Sequence, residues 1–227
     1  MKKIIFAFAA IALLFACKAE NNDEAKTKVP EGAVDLGIVM TRADGTTYKL
    51  FWAKSNLSND GLCDNPEDYG DYYAWGETKT KSDYSWSTYK FGTSEYGLFS
   101  KYTGTDNKTV LDPEDDVAHV KLSGKWRMPT DAEWKALVTK CNWKWTTQNE
   151  VDGYKVTGSN GNSIFLPAAG YWYGNGPVAQ GSYAYYWSSS LKDGSPDSAC
   201  NAYFDGTEAG ISDSKRCDGQ SVRPVTE

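Results

Sequence analysis

Histidine is nearly missing from this chain: His119 is the only one in 227 residues. A Ser-His-Asp relay would have to recruit it, and no elbow motif surrounds any serine. One histidine with scattered cysteines lacks the ligand spacing of a zinc site. No glycine-rich loop runs into a helix as a phosphate cradle requires. Positive charge is also short, with 24 Lys and Arg against 30 Asp and Glu and a formal charge of −6. An acidic chain of this kind argues against nucleic acid as a partner. The single long apolar run, residues 4–15, is too short to be a permanent membrane span. These shortages point away from an enzyme and call for no cofactor and no metal. Paired carboxylates of the glycoside-hydrolase kind stay open, because their spacing is set in three dimensions.

The apolar run follows Lys2 and Lys3 and ends Leu14-Phe15-Ala16-Cys17. A basic end, a short apolar stretch and a small residue before Cys make residues 1–16 a signal peptide. The ending resembles the bacterial lipobox, which implies that Cys17 becomes the lipidated first residue. Several acyl chains on one residue would anchor the protein to the membrane stably. Residues 17–32 are polar and without period, and are expected to form a flexible tether. Residues 33–227 have the length of one ordinary domain.

Aromatics are plentiful: nine Trp and fifteen Tyr within an aromatic content of 14%. One core of this size does not need so many, so some rings are expected at the surface, where Tyr and Trp serve binding. Four cysteines remain after Cys17: Cys63, Cys141, Cys200 and Cys217. Four allow three full pairings. Cys200 and Cys217 flank an apparent hairpin, which ranks a bridge between them first; Cys141 reads equally well as a free thiol.

The clearest element is a helix following Thr130. Thr130 and Glu133 form a capping box, acids fill the first turn, Lys140 closes the last, and Trp134, Leu137, Val138 and Cys141 share a face. A second helix is expected over residues 112–120, where Asp112 caps and Pro113 opens it. Its four acids are explained by helix-start chemistry without calcium. Most of the rest reads as strands and turns. Strands are expected at residues 34–40 and 48–53 around Asp44-Gly45, and at residues 72–75. Others follow at 143–147, at 154–157 after a turn at Asp152-Gly153, and at 163–167 after Asn160-Gly161. A glycine-rich loop covers 168–181. The last strands are 183–190, 199–204 and 210–213 around Asp205-Gly206, and 221–225, with Pro224 at an edge. The class is α+β, with two short helices packed on antiparallel sheets with long loops.

Five segments together carry a family resemblance. They are residues 68–77 (DYGDYYAWGE), 126–134 (WRMPTDAEW), 165–170 (FLPAAG), 186–190 (YWSSS) and 219–225 (GQSVRPV). The chain resembles the Fibrobacter succinogenes major paralogous domain family, surface lipoproteins of Bacteroidetes with a C-type-lectin-like fold. It is also similar to the variable proteins of diversity-generating retroelements. The resemblance implies a lipid-anchored outer-membrane protein facing the cell exterior, with an extracellular protein or glycan as ligand. It implies a binding surface between the Trp-Ser-Ser strand and the closing Arg-Pro-Val strand. On this chain the residues are Trp172, Tyr173, Tyr183, Tyr185, Lys192, Asp193, Asp197, Asn201, Tyr203, Lys215, Arg216 and Asp218. The calcium-lectin signatures are missing, so calcium-dependent sugar binding is not implied. Asp197-Ser198-Ala199 resembles an O-glycosylation acceptor. Two rivals stand beside the receptor reading: a structural surface or pilus-associated subunit, and an oxidase like the formylglycine-generating enzymes. The latter share the Arg127–Trp134 stretch but use a closely spaced cysteine pair.

Overall fold

A computed structural model describes residues 28–93, 97–122 and 124–227. The signal peptide, Cys17 and residues 17–27 of the tether lie outside the described residues. In chain order the strands begin with β1 (Ala33–Thr41), β2 (Thr47–Ala53), β3 (Leu57–Ser58), β4 (Gly61–Leu62), β5 (Gly92–Thr93) and β6 (Leu98–Phe99). They continue with β7 (Asn142–Gln148), β8 (Val151–Thr157), β9 (Ser163–Pro167), β10 (Tyr171–Tyr173) and β11 (Gly176–Val178). The last are β12 (Tyr183–Leu191), β13 (Ser198–Asp205), β14 (Ala209–Lys215) and β15 (Val225–Thr226). Helix α1 spans Val117–Leu122 and α2 spans Asp131–Lys140. The main sheets are three-stranded and antiparallel, in the orders β1-β2-β15, β7-β8-β9 and β12-β13-β14. The class is α+β, as expected.

Helix α2 forms where its local signals place it. Thr130 Oγ1 accepts from Glu133 N–H, and Glu133 Oε2 accepts from Thr130 N–H, completing the capping box. Trp134 and Leu137 are buried against Leu50 and Trp52 of β2, Val156 of β8, Tyr186 of β12 and Phe204 of β13. Trp52 and Trp134 rings meet at 4.6 Å. One helix thus holds the three sheets around a single apolar cluster, supplying the tertiary support that a ten-residue helix needs.

A second apolar cluster lies on the other face of β12. Residues i and i+1 of a strand point to opposite faces: Tyr186 turns to α2, while Trp187 joins Tyr73, Trp75, Tyr84, Tyr102, Met128 and Val222. Indole N–H groups tie the motif segments together here. Trp187 Nε1 donates to Tyr73 O at 2.7 Å, Trp75 Nε1 to Ser188 O at 2.9 Å, and Trp134 Nε1 to Trp187 O at 3.2 Å. Arg223, fully buried, donates to Asn56 Oδ1 at 2.8 Å, Ala53 O at 3.1 Å and Phe165 O at 2.8 Å. Burial draws its guanidinium down to about 10, so it remains charged at neutral pH. The five segments behind the family resemblance are therefore the interlocking frame of the domain.

Several elements differ from their expectation. The helix expected over 112–120 is a short 3₁₀ turn, Pro113–Asp115, followed by the separate α1. Asp116 stands between them, fully enclosed, accepting from the N–H groups of Ala118, His119 and Met128. Residues 72–75 make no strand; Tyr73 forms one bridge with Gln220. The turn expected at Asp152-Gly153 lies at Asn149-Glu150, both in the left-handed region with φ of 47° and 66°, as a two-residue hairpin requires. Gly153 sits inside β8, where a Cβ would meet Leu166 O at 2.3 Å. The glycine-rich 168–181 loop contains the β10–β11 hairpin. The final strand is β15 alone, paired with β2.

Candidate ligand-binding face

The β12-β13-β14 sheet has one face on α2. The opposite face is covered by the Trp187 cluster at one end only. At the other end, alternation sends Tyr183 and Tyr185 of β12 and Tyr203 of β13 outward. Their rings form a ladder: Tyr185 to Tyr203 at 5.2 Å, and Tyr203 to Tyr183 at 6.0 Å with planes 28° apart. Gly170 bridges Ala184 in parallel, which brings Tyr171 beside Tyr185 at 5.0 Å. Tyr173, two residues along β10 and 68% exposed, extends the strip outward. On β14, Gly210 opposes Tyr203 and presents no side chain, so the ladder is open on that side.

Acidic groups set the electrostatics of the strip. Tyr203 OH donates to Asp205 Oδ2 at 2.9 Å. Asp205 also accepts from Thr207, and these hydrogen bonds hold its carboxyl down at about 2. Desolvation, and then the neighbouring Asp205, push the Tyr203 phenol above its ordinary range; Tyr185 is raised likewise, with Tyr171 and Tyr183 adding to desolvation. Tyr185 and Tyr203 accordingly stay neutral across physiological pH. The strip offers stacking faces and phenolic hydroxyls, with the Asp205 carboxylate beside them.

The twelve residues expected to form one surface divide into four groups. Tyr183, Tyr185, Tyr203 and Tyr173 belong to the strip. Trp172 points the other way along β10 and is half-buried between Tyr72 at 6.2 Å and Tyr84 at 5.8 Å. The close backbone at Gly219 makes this possible, since a Cβ there would lie 2.8 Å from Tyr84 and 2.9 Å from Trp172. Lys192, Asp193, Asp197 and Lys215 gather at the far end of β12, where Lys215 pairs with Asp197 and Lys192 with Asp213 at 3.2 Å. Asn201, Arg216 and Asp218 are buried and cannot meet a ligand directly. Asn201 Nδ2 donates to Ser214 Oγ and to Gln220 Oε1. Burial pushes the Asp218 carboxyl up to about 6. Residues 216–220 enclose them by carrying the chain from β14 to the far edge of β12, where Ser221 bridges Tyr186.

Arg216 shows how complete that enclosure is. Its Nε donates to Tyr89 OH at 2.8 Å, Nη2 to Lys101 O at 3.1 Å, and Nη1 to Tyr102 O at 3.0 Å and Pro196 O at 2.7 Å. Its guanidinium lies 5.0 Å from the Trp75 ring and 4.7 Å from the Phe99 ring. Tyr171 was the strip residue missed from sequence. Its sequence signal is the alternation of Tyr171 with Tyr173 along β10 of the β10–β11 hairpin.

The Cys200–Cys217 bridge does not form: all four cysteines from Cys63 onward are free thiols. Cys200 alternates with Ala202 and Phe204 toward α2, whereas Cys217 lies in the cluster on the other face of the sheet. The sheet separates them. Burial, followed by Asp218, pushes the Cys217 thiol up to about 12, and burial also raises Cys200. Ser198, in the possible glycosylation triplet, is 4% exposed at the start of β13, so its hydroxyl is not offered to a transferase. The acids Asp112, Glu114 and Asp115 lie close together. Lys101 Nζ sits among them, 2.7 Å from Asp112, 2.9 Å from Glu114 and 2.6 Å from Asp115, and supplies their counter-charge.

The described residues contain no helix long and apolar enough to cross a membrane. The chain matches no family model, no curated protein and no solved structure.

Proposed function

We propose that this chain is a lipid-anchored surface protein whose domain binds an extracellular protein or glycan on the tyrosine strip. In this reading Cys17 carries the anchor in the outer membrane, the tether holds the domain outside the cell, and the fold is C-type-lectin-like. The observation that carries the reading is the ladder of Tyr171, Tyr185, Tyr203 and Tyr183 on the open half of a sheet whose other face is packed on α2. Tyr183 is exposed and the other three rings are partly so, which leaves a contiguous run of ring faces and edges open to a partner. Rigid aromatic side chains give large contact area at small entropic cost. The meeting of β1 and β15 in one sheet with β2, with long loops emerging between, supports the lectin-like arrangement implied by the motifs.

The test is a comparison of wild type with Tyr183→Ala and Tyr203→Ala in binding to glycan arrays, bacterial cells and host cells. Either change should weaken binding about tenfold or more, equivalent to ~1.4 kcal/mol, without altering the thermal midpoint appreciably. Unchanged binding by a folded double variant would remove the strip from recognition and favour a structural surface role.

A further inference from the structure

We propose that the groove between residues 103–109 and 191–196 is a second ligand site, for a neutral hydroxylated ring such as a sugar residue. It lies at the end of β12 opposite Tyr183. Tyr183 and Leu191 are the two ends of the nine-residue β12, roughly 25 Å apart at strand rise, so one small ligand cannot occupy both.

The groove encloses about 460 Å³, within the range of small-molecule sites. Leu191 and Pro196 are its apolar lining, and Thr103, Thr105, Thr109 and Ser195 bring hydroxyl-bearing side chains to the same groove. Thr103 and Thr105 hydroxyls lie 3.1 Å apart. Hydroxyl side chains both donate and accept, which matches a ligand whose own groups do the same. Lys192 and Asp193 also line it, one purely a donor and the other purely an acceptor; Lys192 spends one donor on Asp213 at 3.2 Å and keeps the others for a ligand hydroxyl. With Asp193 and Asp213 against Lys192, the local charge opposes an anionic ligand. Among the described residues no aromatic ring lines this groove, which makes its chemistry distinct from that of the strip.

Its walls are fixed in advance. The 103–109 loop is exposed, yet Asp106 accepts from the N–H of Tyr102 at 2.7 Å and of Lys108 at 3.1 Å. The loop also holds Tyr102 and Asn107 in the left-handed region, both with φ of 58°, a cost sustained only by surrounding contacts. Arg216 Nη1 then joins the walls, donating to Tyr102 O on one side and Pro196 O on the other. A wall that is already ordered loses little entropy when a ligand arrives.

The experiment uses the full chain and methyl glycosides of neutral hexoses and N-acetylhexosamines, read by saturation-transfer NMR and titration. Thr105 is exposed, so Thr105→Trp fills the groove without touching the frame. At least one glycoside should bind saturably, weaken about tenfold or more in Thr105→Trp, and bind unchanged in Tyr203→Ala. Saturable binding by no glycoside, or binding that Thr105→Trp leaves intact, overturns the proposal. Loss in Tyr203→Ala alone also overturns it, by assigning the sugar to the strip. The strip reading is judged separately, by cell and array binding of the tyrosine variants.

Discussion

Arg127 grips both carboxylate oxygens of Glu133, Nη1 to Oε2 at 2.7 Å and Nη2 to Oε1 at 2.6 Å. Glu133 is fully buried, and it also accepts from Tyr48 OH on β2 at 2.8 Å and from the cap residue Thr130. One carboxylate therefore joins the start of α2, the first sheet and the chain entering the helix. Two parallel charge-assisted bonds in a fork are the strongest form of this contact.

Burial by itself would push the Glu133 carboxyl up. The Arg127 hydrogen bonds and charge, with those from Thr130 and Tyr48, override that effect and hold it below the ordinary glutamate range. A depressed folded value means the stabilisation is present above the unfolded value, near ~4.3, and is lost as pH falls through the folded value. Arg127→Ala should cost about 3–5 kcal/mol at neutral pH, because it strands a buried charge. Glu133→Gln should be destabilised at neutral pH and show a shallower loss of stability below about pH 4. Urea melts across pH 2.5–7 check both; parallel acid limbs in wild type and Glu133→Gln would contradict the assignment.

How much of this was readable in the sequence depends on how local each cause is. The α2 cap lies within four residues, Thr130 to Glu133, and was legible in full. Asp44-Gly45 and Asn160-Gly161 were legible for the same reason. The second helix failed because two starts stand close together: Asp112-Pro113 opens a 3₁₀ turn, and Asp116 opens α1 with help from Met128 across a loop. Gly153 resembled a turn residue, but its cause is the β9 backbone approaching from across the sheet. Asn201, Arg216 and Asp218 sit in a polar stretch that reads as solvated. They are buried by the course of residues 216–220 and by rings from Tyr89 to Tyr102, more than a hundred residues away in the chain for Arg216. The tyrosine ladder was half legible: alternation along β12 gave Tyr183 and Tyr185, and only the register with β13 and Gly170 brought Tyr203 and Tyr171 beside them.

The free thiols carry a chemical prediction. Cys63 is raised to about 11, Cys217 to about 12, and Cys141 and Cys200 are raised as well, each chiefly by burial. The reactive form is the thiolate, so alkylation of these four should be slow at pH 7 and accelerate as pH rises. Peptide mass mapping without reductant should find Cys200 and Cys217 separately alkylated after unfolding. Cys200→Ser, at a partly buried site, should cost about 1 kcal/mol, whereas removing a structural bridge would cost about 2–5 kcal/mol. A recovered Cys200–Cys217 peptide pair would overturn the separation of the two thiols by the sheet.

Arg216 allows the frame to be tested apart from the faces it supports. Its acceptors are a tyrosine hydroxyl and three backbone carbonyls, with no carboxylate among them. Methionine at this position keeps much of the volume but leaves those acceptors without donors, at about 1–3 kcal/mol for each buried group left unsatisfied. Lysine keeps the charge but not the planar fork, and a single ammonium cannot reach all the positions the fork spans. Both variants should lower the thermal midpoint. The local consequence distinguishes them from general destabilisation: amides of residues 102–109 and 195–198 should exchange with deuterium faster, because Arg216 no longer ties the two walls. Amides of β12 and β13 around Tyr185 and Tyr203 are held by strand pairing and should keep their protection. A uniform rise in exchange across both regions would mean that Arg216 supports the whole domain rather than the groove.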